Sequence, residues 1–412
     1  MTRGVLVVAF ALVLTAGAMG AAVGITLADP SAPENVTPTA SPMENEPERL
    51  AVPAPTATGY STAPADPTAA SSMEFQQLAA SYEANRIQEH VAREPHPREK
   101  INLTAQAVER LATDLDDLYA AEQAAYEAYA AGEIDESTFG LQLARLHASA
   151  VAIDHQGEGI RRAISNIEAH GRQSELNILR GQLRRTHMEV RAFQGPVGEQ
   201  LTTHVTGEIR AETTFWYAGS ETGYELSAQR GNAYARQSYI STNRDREGGA
   251  IFTNTADGEA LLWKQYPWLE ANRLAESSDL SGSLFWSIVE HPAGVSKIHL
   301  DADTELPFRE TVELHVPTIE TYQAANTTVD TIAVTVDATF PGGPAAVSVR
   351  DEVTGEPIAD AVIHIDGVAI GETRGDGTAE YIAPSGSYVL VVEVGAAQIE
   401  LSVDGGTSSS HD

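Results

Sequence analysis

The residues best suited to chemistry are histidines and carboxylates near position 300. His299, Asp301 and Asp303 alternate along the chain, so on a β-strand their side chains would lie on one face. His315 follows in a segment that could form the neighbouring strand. Imidazole nitrogens and carboxylate oxygens that converge in this way could bind a divalent cation, the one cofactor that the sequence suggests. His299, Asp301, Asp303 and His315 are therefore a candidate metal site.

A simpler interpretation of the same pattern is a solvated strand face. Ile298 and Leu300 would face the core, which places His299 and Asp301 on the opposite, wet face. An acidic wet face needs no metal in a chain this acidic, and no spacing here fixes a metal geometry. We favour the solvated face and keep the metal site as the alternative.

A second polar cluster, His147, Asp154, His155 and Glu158, lies in a region predicted to be helical. Asp154 and Glu158 are one helical turn apart, and His187 is a third candidate ligand from a later helix. A bundle metal site would need matching ligands on facing helices, so a solvated helix face is favoured. The phosphate-binding glycine loop, the nucleophile elbow, the zinc-binding His-Glu-x-x-His helix and the complete EF-hand loop are all missing from the sequence, and we assign no catalytic residue.

The composition excludes several classes of protein. The 412 residues contain no cysteine, which excludes disulfide scaffolds, thiolate metal sites and cysteine nucleophiles. The net charge of −32 argues against binding nucleic acid, because neutralising phosphates needs a cationic surface. Only three of the 26 basic residues are lysines. Acidic excess with scarce lysine is typical of extreme halophiles, since concentrated salt screens the repulsion between carboxylates.

The elements that must position these side chains begin with a targeting segment at residues 1–28. Arg3 precedes 25 residues without a charge, a length that can cross a bilayer and that also fits a cleaved signal peptide. Both alternatives stay open. In either case we expect the rest of the chain outside the cytoplasm, either secreted or held at the membrane by an uncleaved N-terminal helix.

Residues 29–72 have the composition of a disordered stalk. They hold nine of the 20 prolines together with many Thr, Ser and Ala residues, and they offer little apolar surface to bury. A sequon for N-glycosylation begins at Asn35, and two more begin at Asn102 and Asn326. Export would make all three of these asparagines glycosylation candidates.

Residues 73–195 are predicted to form an antiparallel α-helical coiled-coil hairpin or bundle. Apolar residues recur at alternating three- and four-residue spacings, which is the heptad pattern. The clearest seam consists of Ile101, Val108, Leu111, Leu115, Leu118, Ala125 and Tyr129. Gly132 should end this helix and Asp135 should cap the next, whereas Gly171 should end that second helix and Ser174 should cap a third.

Charge divides this helical region into two parts. Residues 109–136 carry a net charge of −8, whereas residues 161–191 carry +4. A basic stretch in so acidic a chain could bind a partner or lipid headgroups. It could also pair with the acidic helix of the same bundle, which we favour because opposite charges beside apolar seams commonly set helix pairing.

Residues 201–326 change to a two-residue period and are predicted to form an α+β domain. The expected elements are a strand at residues 201–209, a helix at about residues 257–276, and a hairpin of residues 284–289 and 296–300. The hairpin ends in Ile298-His299-Leu300-Asp301-Ala302-Asp303-Thr304, and Glu305 follows where a turn glycine would stand. This segment resembles part of a PepSY-type domain, a small extracytoplasmic module, and the resemblance implies a regulatory or binding role.

Residues 327–404 are predicted to form a β-sandwich, followed by a tail at residues 405–412. Turn motifs separate alternating strands at Thr354-Gly355-Glu356-Pro357, at Asp376-Gly377 and at Gly386-Ser387-Tyr388. The order of these motifs resembles the carboxypeptidase-regulatory-like domain, a transthyretin-like sandwich. That resemblance implies a non-catalytic accessory module and supplies no catalytic residue.

The predicted fold class is thus multidomain: an N-terminal apolar helix, a disordered stalk, a helical hairpin or bundle, an α+β domain and a C-terminal β-sandwich. This layout resembles that of uncharacterised exported proteins of haloarchaea. We therefore expect a non-enzymatic cell-surface protein of a halophile that binds a protein or glycan partner or organises the envelope. A metal-dependent extracellular hydrolase and a regulator of an exported peptidase are the alternatives.

Overall fold

The first half of the chain folds into a layer of helices. The computed structural model describes residues 48–63, 65–168, 171–209 and 213–404. The helices of the layer are α1 (Pro67–Arg93), α2 (Pro97–Ala130), α3 (Glu136–Ser165), α4 (Gln173–Ala192) and α5 (Pro196–Val205). Helix α3 is central, because it packs against each of the other four. The predicted helical region is confirmed.

Three predicted features lie outside the described residues: the N-terminal segment at residues 1–28, the sequon at Asn35 and the tail at residues 405–412. Within the ranges that the structure describes, no helix combines the length and the apolar character needed to cross a membrane.

The helix boundaries follow the predicted signals with one exception. Gly132, with a φ of +70°, follows the end of α2, and the Asp135 carboxylate caps α3 by accepting a backbone N–H at 2.8 Å. Gly171 lies between α3 and α4. The predicted cap at Ser174 is wrong, because α4 begins one residue earlier and has no side-chain cap.

The apolar seam of α2 is buried, together with Thr104 and Glu122, which fill its polar steps. The coiled-coil geometry is not confirmed. Tyr119 and Tyr126 add buried positions beyond the seam, and α2 contacts strands as well as helices. The seam therefore belongs to a helix that lies in a layer above a sheet.

An eight-stranded antiparallel sheet lies beneath the helices. Its strands are β1 (Ala57–Ser61), β2 (Thr214–Ser220), β3 (Gly223–Arg230), β4 (Ala233–Ile240), β5 (Ala275–Ser281), β6 (Leu284–His291), β7 (Gly294–Asp301) and β8 (Pro307–His315). Their order across the sheet is β1–β2–β3–β4–β8–β7–β6–β5. The predicted hairpin is confirmed as β6 and β7.

The stalk prediction is wrong for the described part of residues 48–72. Leu50 and Val52 are buried, β1 pairs with β2 as an edge strand, and α1 begins at Pro67. The remaining residues of the expected stalk, 29–47, lie outside the described part of the chain. The proline-rich composition does not predict β1, because this strand forms by pairing with a strand far along the sequence.

Two further elements differ from the prediction. The strand expected at residues 201–209 is replaced by α5, which begins at Pro196, and proline suits the first position of a helix. The single helix expected at residues 257–276 is divided into α6 (Thr255–Gln265) and α7 (Pro267–Asn272). The residue before a proline is disfavoured in the helical conformation, which explains the break before Pro267.

Both faces of the sheet are covered. Phe215 and Tyr217 of β2 pack against the helical layer, whereas the intervening Trp216 packs on the other side. On that side, α6 and α7 cover the β5–β7 end of the sheet. The solvated face predicted for His299 and Asp301 is therefore wrong, and both side chains are buried.

Two four-stranded sheets form the C-terminal β-sandwich. Their strands are β9 (Tyr322–Val329), β10 (Ile332–Ala338), β11 (Pro344–Asp351), β12 (Val362–Ile365), β13 (Val368–Glu372), β14 (Thr378–Ile382), β15 (Tyr388–Val394) and β16 (Ala397–Val403). The orders are β14–β11–β10–β9 and β13–β12–β15–β16. The sandwich has its own core, and its Phe340 and Ile382 also pack against Trp216 and Tyr234 of the large sheet. The predicted sandwich is confirmed.

A buried ion pair joins the helical layer to the sheet. Arg309 of β8 donates to both carboxylate oxygens of Glu122 on α2 at 2.8–3.0 Å, and Tyr224 donates to the same carboxylate at 2.7 Å. Burial opposes the charge of Arg309, but the adjacent Glu122 holds the pKa of the guanidinium above its usual range. The polar step in the α2 seam is thus the partner of a buried cation.

A second buried arginine also joins the helical layer to the sheet. Arg244 follows β4, pairs with Glu189 of α4 at 3.2 Å and also pairs with Asp301 of β7. All three side chains are at most 5 % exposed. Helix α4 and strand β7 therefore share one buried cation.

A third buried arginine lies on the opposite side of the sheet. Arg236 of β4 pairs with Glu225 at 2.7 Å and with Glu310 at 2.9 Å. The backbone N–H of Leu50 and the hydroxyl of Tyr266 also donate to Glu310, at 3.1 and 2.8 Å. The segment that precedes β1 is thereby fixed to the sheet and to the α6–α7 cover.

Gly159 of α3 marks a close crossing of α1. A Cβ at this position would lie 2.7 Å from the Cα of Ala84. We expect Gly159→Ala to lower the free energy of unfolding by about 1–3 kcal/mol, because overpacking forces the two helices apart. The matched control is Gly181→Ala on α4, where a Cβ meets nothing within 4 Å, and better helix propensity should raise stability by up to about 1 kcal/mol. Urea denaturation measures both, and equal stabilisation by the two substitutions would contradict the close crossing.

Glu122→Gln tests the ion pair between α2 and β8. It leaves the charge of Arg309 buried without a counter-charge, so we expect a loss of about 3–5 kcal/mol in the free energy of unfolding. Concentrated salt should not remove this loss, because buried pairs are screened little. Glu127→Gln, on an exposed position of the same helix, is the control and should change stability by less than about 0.5 kcal/mol. Similar values for the two variants would show that the pair does not hold the layers together.

Candidate functional site

A cleft of about 620 Å³ opens between the helical layer and the edge of the large sheet. Helices α3 and α4 form one wall, and strands β5, β6 and β7 form the other. The apolar side chains of the lining are Ile164, Leu183, Met188, Trp286 and Ile288. A largely apolar concavity between structural units, with a few polar groups, is the usual form of a small-molecule site.

Cations outnumber carboxylates around this cleft. Five bases line it, against the two acids Glu158 and Asp279. The five are Arg161, Arg180, Arg184, Arg191 and Lys297. The chain has a net charge of −32, so the charge of the cleft is opposite in sign to that of the chain as a whole.

The arginines of the cleft pair locally. Arg161 and Arg191 pair with carboxylates of α3, and Arg184 pairs with Asp279 of β5. These carboxylates do not belong to α2, although α4 does pack against α2 as the favoured pairing expects. Each guanidinium is at least half exposed, and exposed pairs of this kind contribute little. A ligand anion could therefore exchange with them at small cost.

Lys297 of β7 is the most enclosed base of the cleft. Burial lowers the pKa of its ammonium to about 8, and the nearby charges of Arg191 and Arg309 act in the same direction. The ammonium lies 5.8 Å from the ring centre of Trp286 and 3.4 Å from the backbone oxygen of Arg191, to which it donates. A partly desolvated cation beside an indole ring is suited to an anion that also carries an apolar group.

His299 lies two residues further along β7 and also lines the cleft. Its side chain is 1 % exposed, and neither ring nitrogen has a hydrogen-bond partner among the described residues. Burial, together with the charges of Lys297 and Arg309, holds the pKa of the imidazole well below its usual range. A polar contact with the backbone of Arg309, too poor in geometry to count as a hydrogen bond, opposes this only in part. The ring is therefore neutral at physiological pH, with one nitrogen that can donate and one that can accept.

His187 of α4 is the second imidazole of the lining. Its Nδ1 lies 2.7 Å from a carboxylate oxygen of Asp154, whereas its buried Nε2 has no hydrogen-bond partner among the described residues. Gly157 makes room for the ring, since a Cβ there would lie 2.5 Å from Nε2. The predicted cluster of Asp154, Glu158 and His187 is thus a link between α3 and α4, not a freely solvated helix face.

The four candidate metal ligands do not converge. Asp301 pairs with Arg244 and accepts two backbone N–H groups of the turn after β7 at 2.8 and 3.0 Å. Asp303 accepts another backbone N–H at 2.8 Å, His299 lines the cleft, and His315 is exposed at the end of β8. Within the described ranges, no three His, Asp or Glu side chains lie close enough together to hold a metal.

Two of the three glycosylation candidates lie in the described residues. Asn102 on α2 and Asn326 on β9 are both exposed, as a glycan acceptor must be. Glycosylation at either position stays a prediction.

The fold and the cleft define a layered α+β protein with an appended β-sandwich. The chain belongs to the family described as Domain of unknown function (DUF7096), whose model matches residues 1–210. Residues 216–320 match a model described as Family of unknown function (DUF7094), and residues 323–401 match the Archaeal fibronectin-III type-like domain. No curated protein and no solved structure matches the chain.

These matches refine the expected resemblances. The sandwich matches a fibronectin-III-like model described as archaeal, which fits the expectation of an archaeal protein but is not the carboxypeptidase-regulatory-like family. The middle region matches DUF7094, not a PepSY-type domain. The cleft lies at the junction of the first two matched regions, because α3 and α4 belong to one and β5–β7 to the other.

Proposed function

We propose that this protein is a non-enzymatic, extracytoplasmic binding protein of the cell surface, and that its cleft binds a small organic anion with an apolar body. The observation that carries the proposal is the surplus of cations around a largely apolar cavity in a chain of net charge −32. Most of so acidic a protein repels anions, so a cleft of the opposite sign is the favoured place for one to bind.

The two parts of the lining suggest separate roles in binding. Leu183, Ile164 and Ile288 offer contact to a hydrocarbon body, which gains free energy as its apolar surface leaves water. Lys297 and the arginines offer charge-assisted hydrogen bonds to the anionic head. An anionic amphiphile satisfies both parts at once, whereas an inorganic anion would leave the apolar wall unused.

The proposal includes an extracytoplasmic location in a halophilic organism. The uncharged stretch after Arg3 supports export, and the acidic, lysine-poor composition supports a halophilic habitat. In concentrated salt the Debye length falls to about 3 Å, so exposed charges act only at contact range. Apolar contact and the partly buried Lys297 would then supply most of the affinity.

Calorimetric titration of the full chain with decanoate in concentrated KCl tests the cleft as an anion site. We expect saturable binding of one decanoate per chain, at least tenfold tighter than binding of decanol, because only the carboxylate gains hydrogen bonds to charged donors. The double substitution Arg180→Gln with Lys297→Met should weaken decanoate binding at least tenfold. Arg145→Gln, an exposed arginine of α3 outside the cleft lining, is the matched control and should leave binding unchanged.

All of these variants keep the N-terminal apolar segment, so any non-specific binding of decanoate to that segment is the same in each. Equal affinities for decanoate and decanol, or equal losses in the double variant and in Arg145→Gln, would contradict the proposal.

The affinity for decanoate should fall as the pH rises from 7 to 9. Lys297 is mostly charged below its pKa of about 8 and mostly neutral above it, while the ligand carboxylate stays ionised throughout. Losing one charged donor should weaken binding by about tenfold. Two charged neighbours of Lys297 keep their charge across this range, because the pKa of Arg309 is raised and that of Asp154 is lowered from the usual value. Lys297→Met should bind with little pH dependence, and an affinity that stays constant in the unmodified protein would contradict this role of the lysine.

A further inference from the structure

We infer that the cleft also binds aldehydes covalently, through an imine that forms between the side-chain amine of Lys297 and the carbonyl carbon of a long-chain alkanal. This activity goes beyond the proposed function, because it needs the amine and the apolar walls but none of the arginines. Decanal serves as the probe, since it has the same hydrocarbon chain as decanoate.

The first observation is the position of the amine. Lys297 lines the cleft between β7 and α4, and its nitrogen lies 5.8 Å from the ring centre of Trp286. The apolar side chains Leu183, Met188 and Ile288 belong to the same lining. A hydrocarbon chain that leaves water along these walls holds its carbonyl end beside the amine, which replaces an encounter in solution with a local one.

The second observation is that this amine lacks a paired carboxylate. Its one hydrogen bond to a described residue is a long one, to the backbone oxygen of Arg191 at 3.4 Å. Asp154, whose charge acts on the amine, is already bonded to His187 and Arg191 at 2.7 and 3.1 Å. The two acids that line the cleft are also paired with arginines. Among the described residues, no ion pair holds this lysine in its charged form.

The third observation is the charge around the amine. Burial, Arg191 of α4 and Arg309 of β8 all oppose the charged form of Lys297, and only Asp154 of α3 favours it. These causes lower the pKa of Lys297 to about 8, so about a tenth of the amine is neutral at pH 7. A lysine that is desolvated beside other cations is suited to forming imines.

The reaction balances without a further reagent. The neutral amine attacks the carbonyl carbon, a C–N bond forms, and the π electron pair of the carbonyl moves to its oxygen. A proton passes from nitrogen to that oxygen through water. The resulting carbinolamine releases one water molecule as the C=N bond forms, so one amine and one aldehyde give one imine and one water.

The small number of lysines provides an internal control. The chain has only Lys100, Lys264 and Lys297, and Lys264 is exposed on α6 outside the lining of the cleft. The full chain is incubated at pH 7 in concentrated KCl with decanal and cyanoborohydride, which reduces an imine to a stable alkylamine. Mass spectrometry of the digested protein then locates the decyl group. We expect about tenfold or more decylation at Lys297 relative to Lys264, as their neutral fractions and the apolar walls allow.

Two comparisons test the role of the cleft. Propanal should give a smaller ratio of labelling between Lys297 and Lys264, because its short chain gains little from the apolar walls. Ile288→Gln should lower the decanal ratio, whereas Ile178→Gln, at an exposed isoleucine of α4 outside the lining, is the matched control and should leave it unchanged. Each ratio is measured within one sample, so a general change in stability or reagent does not imitate the effect.

The outcomes separate this inference from the proposed function. Equal decylation of Lys297 and Lys264, or the same ratio with decanal and propanal, would overturn the aldehyde site. If decanoate binds but Lys297 is not decylated, the anion proposal stands and the covalent activity fails. If Lys297 is decylated while decanoate neither binds nor suppresses the labelling, the aldehyde site stands and the anion proposal fails.

Discussion

The burial of arginine between two layers is the constraint on which this structure depends. Arg309 and Arg244 lie between the helices and the sheet, and each has a carboxylate from the helical layer, Glu122 or Glu189, within hydrogen-bond distance. Removing both charges from water is expensive, and their attraction offsets this only when the geometry is close to ideal. Such pairs are better at fixing where two layers meet than at adding stability. Here they fix α2 and α4 against β7 and β8.

The cleft forms where this internal pairing ends. At the edge strand β5, Arg184 of α4 pairs with the exposed Asp279 and not with a buried carboxylate. Apolar side chains line the gap, together with one enclosed lysine and two imidazoles that lack full pairing. The concavity is thus already formed without a ligand, and a preformed site loses little entropy when a ligand binds.

Local patterns in the sequence predicted the elements that depend on local contacts. Periodicity and turn residues predicted the seam of α2, the β6–β7 hairpin and the C-terminal sandwich. These patterns did not predict the strand at residues 57–61, because β1 is held by pairing with β2, which begins at Thr214. Alternation placed Ile298 and His299 on opposite faces of the sheet, as found, but it could not show that both faces are covered. Four arginines of the basic stretch at residues 161–191 and the candidate ligand His299 line the cleft, so two signals from the sequence fall on it.

The central claim is that the cleft between the ion-paired layers binds an organic anion. Anomalous X-ray diffraction from crystals of the full chain grown with omega-bromodecanoate would test it most directly. We predict a bromine peak inside the cleft, between α4 and β5–β7, with the backbone of these elements unchanged from ligand-free crystals. A bromine peak only outside the cleft, or none at all under conditions where calorimetry shows binding, would contradict the account.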